Sequence, residues 1–236
     1  MAKGDVKLIV DGRRLDGRLP EEMRKVEMKV GVVSRADGSA MVRFGNTAAI
    51  AAVYGPRPVY PKYLQEVKSG ILRCRYNMAP FSVSERKSPG PDRRSIELSK
   101  VIRLALEPAI FLEEFPKAVI DVFVEILQAD GSTRVTGINA ASLALASAGI
   151  PMKDLVAACS VGKIDKTLIL DLSGIEDNNS ECDMAFAMMP SKEKITLLQM
   201  DGILTKEEIK RLMEIAREAC GKIYEMQKNA IREKYR

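Results

Sequence analysis

Histidine is absent from the 236 residues, and so is tryptophan. Without an imidazole, any proton chemistry near neutral pH falls most naturally to a carboxylate whose pKa has been tuned for the task. Cysteine is scarce: Cys74, Cys159, Cys182 and Cys220 are widely separated and form no CxxC pair. A disulfide framework or structural zinc site is therefore not expected, and reduced, mostly buried thiols are. Asn and Gln together number ten, a scarcity that suits a heat-adapted protein, although twelve Met residues weigh against it. No apolar run approaches a membrane span, and "MAKGDVKLIVDGRRLDGR" has no signal-peptide core, so the expectation is a cytoplasmic chain with no membrane partner.

What is present is 46 % hydrophobic and 29 % charged, the balance of a soluble globular chain long enough to bury a full core. The net charge of +5 is unevenly spread. Residues 56–103 hold eleven Lys/Arg against four Asp/Glu, interleaved with Tyr60, Tyr63, Tyr76 and Phe81. Cations that track a phosphate backbone beside rings that stack bases point to single-stranded nucleic acid, the alternative being a solvated basic surface.

Periodicity predicts strands first. Val26, Met28, Val30 and Val32 alternate, and "SAMVRFG" and "NTAAIAAVYG" read as a hairpin joined at Gly45-Asn46. A Pro-punctuated loop leads to the strand "ILRCRYNMA", and a second basic loop, "SERKSPGPD", to a helix capped by Asp92 with Ile96, Val101, Ile102 and Ala105 on one face. "AVIDVFVEILQ" reads as a buried strand and "GSTRVTGINAASLALASAG" as a small-residue helix. Four strands follow, then a closing helix over about 205–233 opened by a Thr205/Glu208 capping box. The expectation is one α+β domain over 1–236, with a short N-terminal arm over about 1–10 and two similar sheet-and-helix halves.

Three stretches could carry chemistry. In "DRRSIE", Arg93 and Arg94 occupy the first turn of a helix, where the dipole disfavours cations unless an anion lies between them; the alternative is two solvated arginines. In "ADGSTR", Gly131 lets the backbone approach a ligand, Ser132, Thr133 and the first-turn amides can donate to an oxyanion, and Arg134 adds a planar fork; the alternative is an ordinary cap by Asp130 or Ser132. In "SGIEDNNSECDMAF", Asp177 lies in a loop and Asp183 opens a strand. Clustered carboxylates share a divalent cation or raise one another's pKa, whereas a solvated acidic loop does neither.

Six ordered blocks resemble the RNase PH family, and within it the catalytic ring subunits of archaeal exosomes: "VDGRRLDGR", "RFGNTAAIAAVYGPRPV", "RCRYNMAPFS", "RRSIELSKVIR", "ILQADGSTR" and "EDNNSECDM". The resemblance implies a duplicated RNase PH-type domain, of the kind also seen in the second domain of ribosomal protein S5. It implies a phosphate-dependent 3′→5′ exoribonuclease that releases nucleoside diphosphates and runs in reverse to add tails. By motif, Asp183 is the expected general acid, with Asp177 assisting. Gly131, Ser132, Thr133 and Arg134 would hold inorganic phosphate, and Arg93, Arg94, Lys62, Arg73 and Arg75 would contact RNA. Asp177 and Asp183 are the expected ligands of any Mg²⁺ or Mn²⁺. The implied partners are a related inactive subunit alternating in a hexameric ring and RNA-binding cap subunits. Ala185, Cys182 and Asn179-Ser180 depart from the family pattern around the acid. Three rivals remain: a structural ring subunit that only binds RNA, a stand-alone tRNA-trimming RNase PH, and a basic RNA-binding module without catalysis.

Overall fold

The computed structural model describes residues 7–236. Of the expected N-terminal arm, residues 1–6 lie outside the described residues. The arm's remainder enters a short antiparallel ribbon, β1 (Ile9–Val10) with β2 (Arg13–Arg14). Then come β3 (Val26–Val30), β4 (Gly38–Phe44), β5 (Thr47–Pro58), β6 (Ile71–Met78), α1 (Arg93–Leu106), β7 (Ala118–Gln128) and α2 (Thr133–Ser147). The second half contributes β8 (Ala157–Ile164), β9 (Thr167–Leu170), α3 (Gly174–Asn179), β10 (Cys182–Met189), β11 (Lys194–Gly202) and α4 (Lys206–Lys234).

The strands form two sheets. The first has the order β3-β4-β5-β7-β6, antiparallel except for the parallel β6–β7 pair that α1 bridges. The second has the order β11-β10-β8-β9 and is antiparallel throughout. The hairpin turns at Gly45-Asn46, with Phe44 opposite Thr47. One hydrophobic core runs through both sheets. The halves resemble each other in order, but where the first uses α1 the second has only the six-residue α3.

The helix α2 explains how the sheets share a core. Its sequence is apolar or small all round, so it has no solvent face to offer, and only Arg134 and Ala146 escape full burial. It packs on β4 and β5 from the first sheet and on β8 and β10 from the second. Gly38 makes this approach possible: a Cβ there would lie 2.3 Å from the Ala144 carbonyl oxygen.

The termini of α1 and α4 follow from their caps. The Asp92 side chain accepts from the Ser95 amide at 2.7 Å, and Ser95 Oγ accepts from the Asp92 amide in return. Thr205 and Glu208 make the expected reciprocal pair. The α1 face differs from the expectation. Ile96 is 64 % exposed, and the buried stripe is Ser95, Leu98, Ile102, Ala105 and Leu106, because β6 meets the helix one step round from the face the apolar count favours.

Candidate active site

Asp183 stands near the start of β10, an inner strand flanked by β11 and β8. Residues 183 and 185 share a face of that strand, and Ala185 lies opposite Ser160 on β8. This face meets the N-terminus of α2. The result is a cavity of about 50 Å³ lined by Arg94, Ser132, Thr133, Arg134, Ser160, Asp177, Asp183 and Ala185. Residues from three distant stretches of chain thus converge. Asp177 comes from α3 rather than from a loop: Ser173 and Glu176 form a capping box that winds the segment into a helix. Asn179 Nδ2 donates to the Ile175 carbonyl at 2.8 Å and Ser180 Oγ to the Asp177 carbonyl at 3.1 Å, so the departing pair Asn179-Ser180 finishes α3.

The electrostatics of the cavity set the two carboxylates apart from ordinary ones. Burial raises the Asp183 pKa, the neighbouring charge of Asp177 raises it further, and Arg134 opposes both. Burial also raises Asp177, against the positive charges of Arg94, Arg134 and Arg24. Arg134 Nε is buried without a hydrogen-bond partner among the described residues, a cost that an incoming oxyanion would remove.

The "ADGSTR" turn is built differently from its sequence reading. Gly131 (φ +71°) packs closely against the chain: a Cβ would lie 2.6 Å from the Ser173 carbonyl carbon. Neither Ser132 nor Asp130 caps α2. The Asp130 carboxylate accepts from the Gly174 amide at 2.9 Å. Ser132, left-handed at φ 56°, turns its hydroxyl inward to Ser160 Oγ at 2.6 Å and the Leu172 carbonyl at 2.8 Å. Thr133 Oγ1 accepts from the Tyr76 hydroxyl at 3.0 Å. Ser132 Oγ is turned to Ser160 and Leu172, whereas Thr133 Oγ1 accepts from Tyr76 and keeps its own proton to donate; that hydroxyl, the first-turn amides of α2 and the Arg134 fork are what the loop offers an anion.

The remaining expected residues are spread more widely. Arg94 reaches the cavity, and its neighbour Arg93 is exposed beside it. Arg73 and Arg75 are exposed on β6, on the face opposite the buried Tyr76, and Arg73 is paired with Asp121 at 2.9 Å. Lys62 lies outside the cavity too, in a 3₁₀ turn between the exposed Tyr60 and Tyr63. A divalent cation would find two carboxylates here, Asp177 and Asp183, and no group of three acidic or soft ligands occurs among the described residues. Two carboxylates with open positions suit a hard cation that keeps its waters or takes substrate oxygens.

Sequence reasoning missed a second layer behind the cavity. Arg14 donates from Nε to Glu176 at 2.7 Å, Arg24 forks onto Asp171, and Arg18 reaches both Asp16 and Asp171. Burial works against ionised Glu176, yet the Arg14 hydrogen bond and the Ser173 amide bring its pKa to about 2. A larger cleft of about 460 Å³ opens beside this layer at Leu15, Asp16, Lys25 and Asn46. Its buried arginines already have carboxylate partners, so the reactive groups lie in the smaller cavity.

Similarity to known proteins agrees with this geometry. The family model of the 3′ exoribonuclease family, domain 1, matches residues 22–151, and that of domain 2 matches residues 154–219. The chain is 61 % identical over 225 residues to the exosome complex component Rrp41 of Pyrococcus furiosus, covering 95 % of this chain and 90 % of that protein. It is 59 % identical over the same length and coverage to the Rrp41 component of Thermococcus gammatolerans. In fold it is similar to a chain of the Archaeoglobus fulgidus exosome solved with RNA bound to the active site, with a TM-score of 0.79, 22 % identity, and coverage of 96 % of this chain and 94 % of that one. With both domain models matched in order across most of its length, the chain belongs to the RNase PH family of 3′ exoribonucleases.

Proposed function

We propose that this chain is the phosphorolytic subunit of an exosome ring, degrading single-stranded RNA from its 3′ end. The observation that carries the reading is the placement of Asp183, with raised proton affinity, in one cavity with Arg94, Arg134 and the uncapped start of α2. Inorganic phosphate is held by Arg134 and the α2 amides; Arg94 and Arg93 hold the terminal RNA phosphates. A phosphate oxygen attacks the last phosphodiester phosphorus. The bond to the 3′ oxygen of the preceding nucleotide breaks, and Asp183 delivers its proton to that oxygen. The products are a nucleoside diphosphate and RNA one residue shorter, and mass action reverses the reaction. Because phosphate and not water is the acceptor, the chemistry is nucleotidyl transfer and not hydrolysis. Burial, and after it the charge of Asp177, raise the proton affinity of Asp183. Mg²⁺ or Mn²⁺ would be held by Asp177, and by Asp183 once its proton has left, where it would neutralise phosphate charge.

Lys62, between Tyr60 and Tyr63, suits a contact to RNA before it reaches the cavity. The alternating hexameric ring with an inactive relative, the RNA-binding caps and the cytoplasmic location belong to the same reading. They are supported by the exosome relatives, by the exposed Leu198, Met200 and Ile203 on or beside the edge strand β11, and by the absence among the described residues of any helix long and apolar enough to cross a membrane. The test is a single-stranded RNA labelled at its 5′ end, incubated with the chain alone and with its ring partner, with and without inorganic phosphate. Shortening that requires phosphate and releases nucleoside diphosphates is expected. Release of monophosphates without phosphate would refute the reading, and bound but intact RNA in every mixture would favour a purely RNA-binding ring subunit.

A further inference from the structure

Residues 129–132 belong to neither strand nor helix, yet they set the direction in which α2 begins. Ser132 is left-handed there, a conformation that a non-glycine residue keeps only where its surroundings hold it. The holding groups can be named. Arg24 Nη1 donates to the Asp130 carbonyl at 2.6 Å. Thr47 Oγ1 donates to the Gly131 carbonyl at 2.7 Å and accepts from the Asp130 amide at 3.0 Å. Ser132 Oγ lies 3.4 Å from Asp171 Oδ1, the same oxygen that Arg24 Nη2 meets at 2.7 Å. Arg24 Nε and the Arg24 amide both donate to the other Asp171 oxygen, at 2.8 and 2.9 Å. Arg24 and Asp171 are buried, and neither lines the cavity that holds Asp183.

We infer that the buried Arg24–Asp171 pair is a positioning device for phosphate binding, acting through the loop before α2. Peptide planes are rigid, so the Arg24 grip on the Asp130 carbonyl, with Thr47 holding that of Gly131, fixes how the chain turns into the helix and where its first amides point. A guanidinium can do this because it is a planar fork: one edge lies along the Asp171 carboxylate while Nη1 still reaches Asp130. A lysine keeps the charge but cannot span these partners. The inference rests on the phosphate reading of the α2 N-terminus.

The test uses the full chain and inorganic phosphate, following affinity by calorimetry and by the rise in melting temperature that phosphate causes. Arg24→Lys is expected to weaken phosphate binding roughly 10–100-fold, the range seen when outer partners of a bound ion are lost. In phosphorolysis its KM for phosphate rises while kcat at saturating phosphate and RNA affinity in phosphate-free buffer are retained. Asp154→Asn is the structural control: Asp154 is buried and bonded to Tyr224 and the Ser191 amide, away from the loop, so its loss lowers the melting temperature and leaves phosphate affinity unchanged. Should Arg24→Lys not fold, Asp171→Asn keeps the side-chain volume and tests the same pair. A folded variant of either kind that binds phosphate as tightly as the native chain overturns the inference. A native chain that fails to bind phosphate overturns the reading of the site itself, whatever the variants do.

Discussion

Six arginines surround the start of α2 and α3, and they fall into two sets. Arg14, Arg18 and Arg24 are buried, each in an ion pair with Asp16, Asp171 or Glu176. Arg93, Arg94 and Arg134 have no ion pair among the described residues, and the buried Nε of Arg134 has no partner at all. The residue type is the same, but the roles differ. A paired, buried guanidinium has its charge already countered, although Arg18 Nη2 still lacks a hydrogen bond, and breaking the pair leaves its partner stranded. An unpaired one at a helix N-terminus faces the positive end of the dipole and gains only when an anion arrives. One set braces the layer behind the cavity; the other has charge left over for an anion.

The strongest way to break this division is to neutralise the acid both sets enclose. Asp183→Asn keeps shape and removes the transferable proton, so turnover should fall about 10²–10⁴-fold. RNA and phosphate binding should persist, because neither set of arginines loses its partner. Turnover at the native rate in a phosphorolysis assay would sink the acid assignment.

The sets themselves can be exchanged next. Arg14→Met strands the buried Glu176 and should cost about 3–5 kcal/mol of stability. Arg134→Met, at the cavity edge, should leave the melting curve nearly unchanged, within about 0.5 kcal/mol, while raising the phosphate requirement. Denaturant unfolding and phosphate titration of both variants decide it; equal destabilisation would erase the distinction.

How much of this was legible in the sequence follows the same line. The groups proposed to meet a ligand sit in local patterns: Arg93-Arg94 after a capping Asp92, Gly131 to Arg134 between a buried strand and a helix, Asp183 entering a strand of buried neighbours. Local spacing is enough to find them. The scaffold set is non-local. Arg24 meets Asp171 across 147 residues of chain and Arg14 meets Glu176 across 162, and no spacing rule announces such a pair. The helix α3 was missed because its six residues hold no full apolar period and its capping box is Ser173/Glu176, inside a stretch that composition marks as an acidic loop. Gly131 answers a further demand that local sequence does not announce, since its close neighbour is the backbone that opens α3.

Titration separates the layers by sign. Glu176 is held at about 2 in the fold against an ordinary 4.5, so it binds its proton less tightly than when unfolded. Its contribution is present above pH 4.5 and is lost as pH falls from 4.5 toward 2. Asp183 is raised, so its contribution runs the other way: present below its unfolded pKa and lost as pH rises through the folded one. With Asp183 as the proposed acid, activity should decline as it deprotonates. Acid unfolding of Glu176→Gln should lack the native loss over the lower window, and the activity profile of Asp177→Asn should have its alkaline limb moved to lower pH. A limb that stays in place would remove Asp177 from the tuning of Asp183.

The smallest expected effect lies farthest from the cavity and asks whether the unpaired set extends beyond it. Lys62 is exposed between Tyr60 and Tyr63, with no carboxylate partner among the described residues, so by the logic of Arg93 and Arg94 it should meet a phosphate. A single phosphate contact contributes one released counterion. Lys62→Ala should therefore reduce the slope of log affinity against log salt by about 1 for long single-stranded RNA, uniformly across sequences. An RNA too short to span from the cavity to this turn should show no change. If the short RNA responds equally, Lys62 acts through the fold and not along the strand, and the open set ends at the cavity.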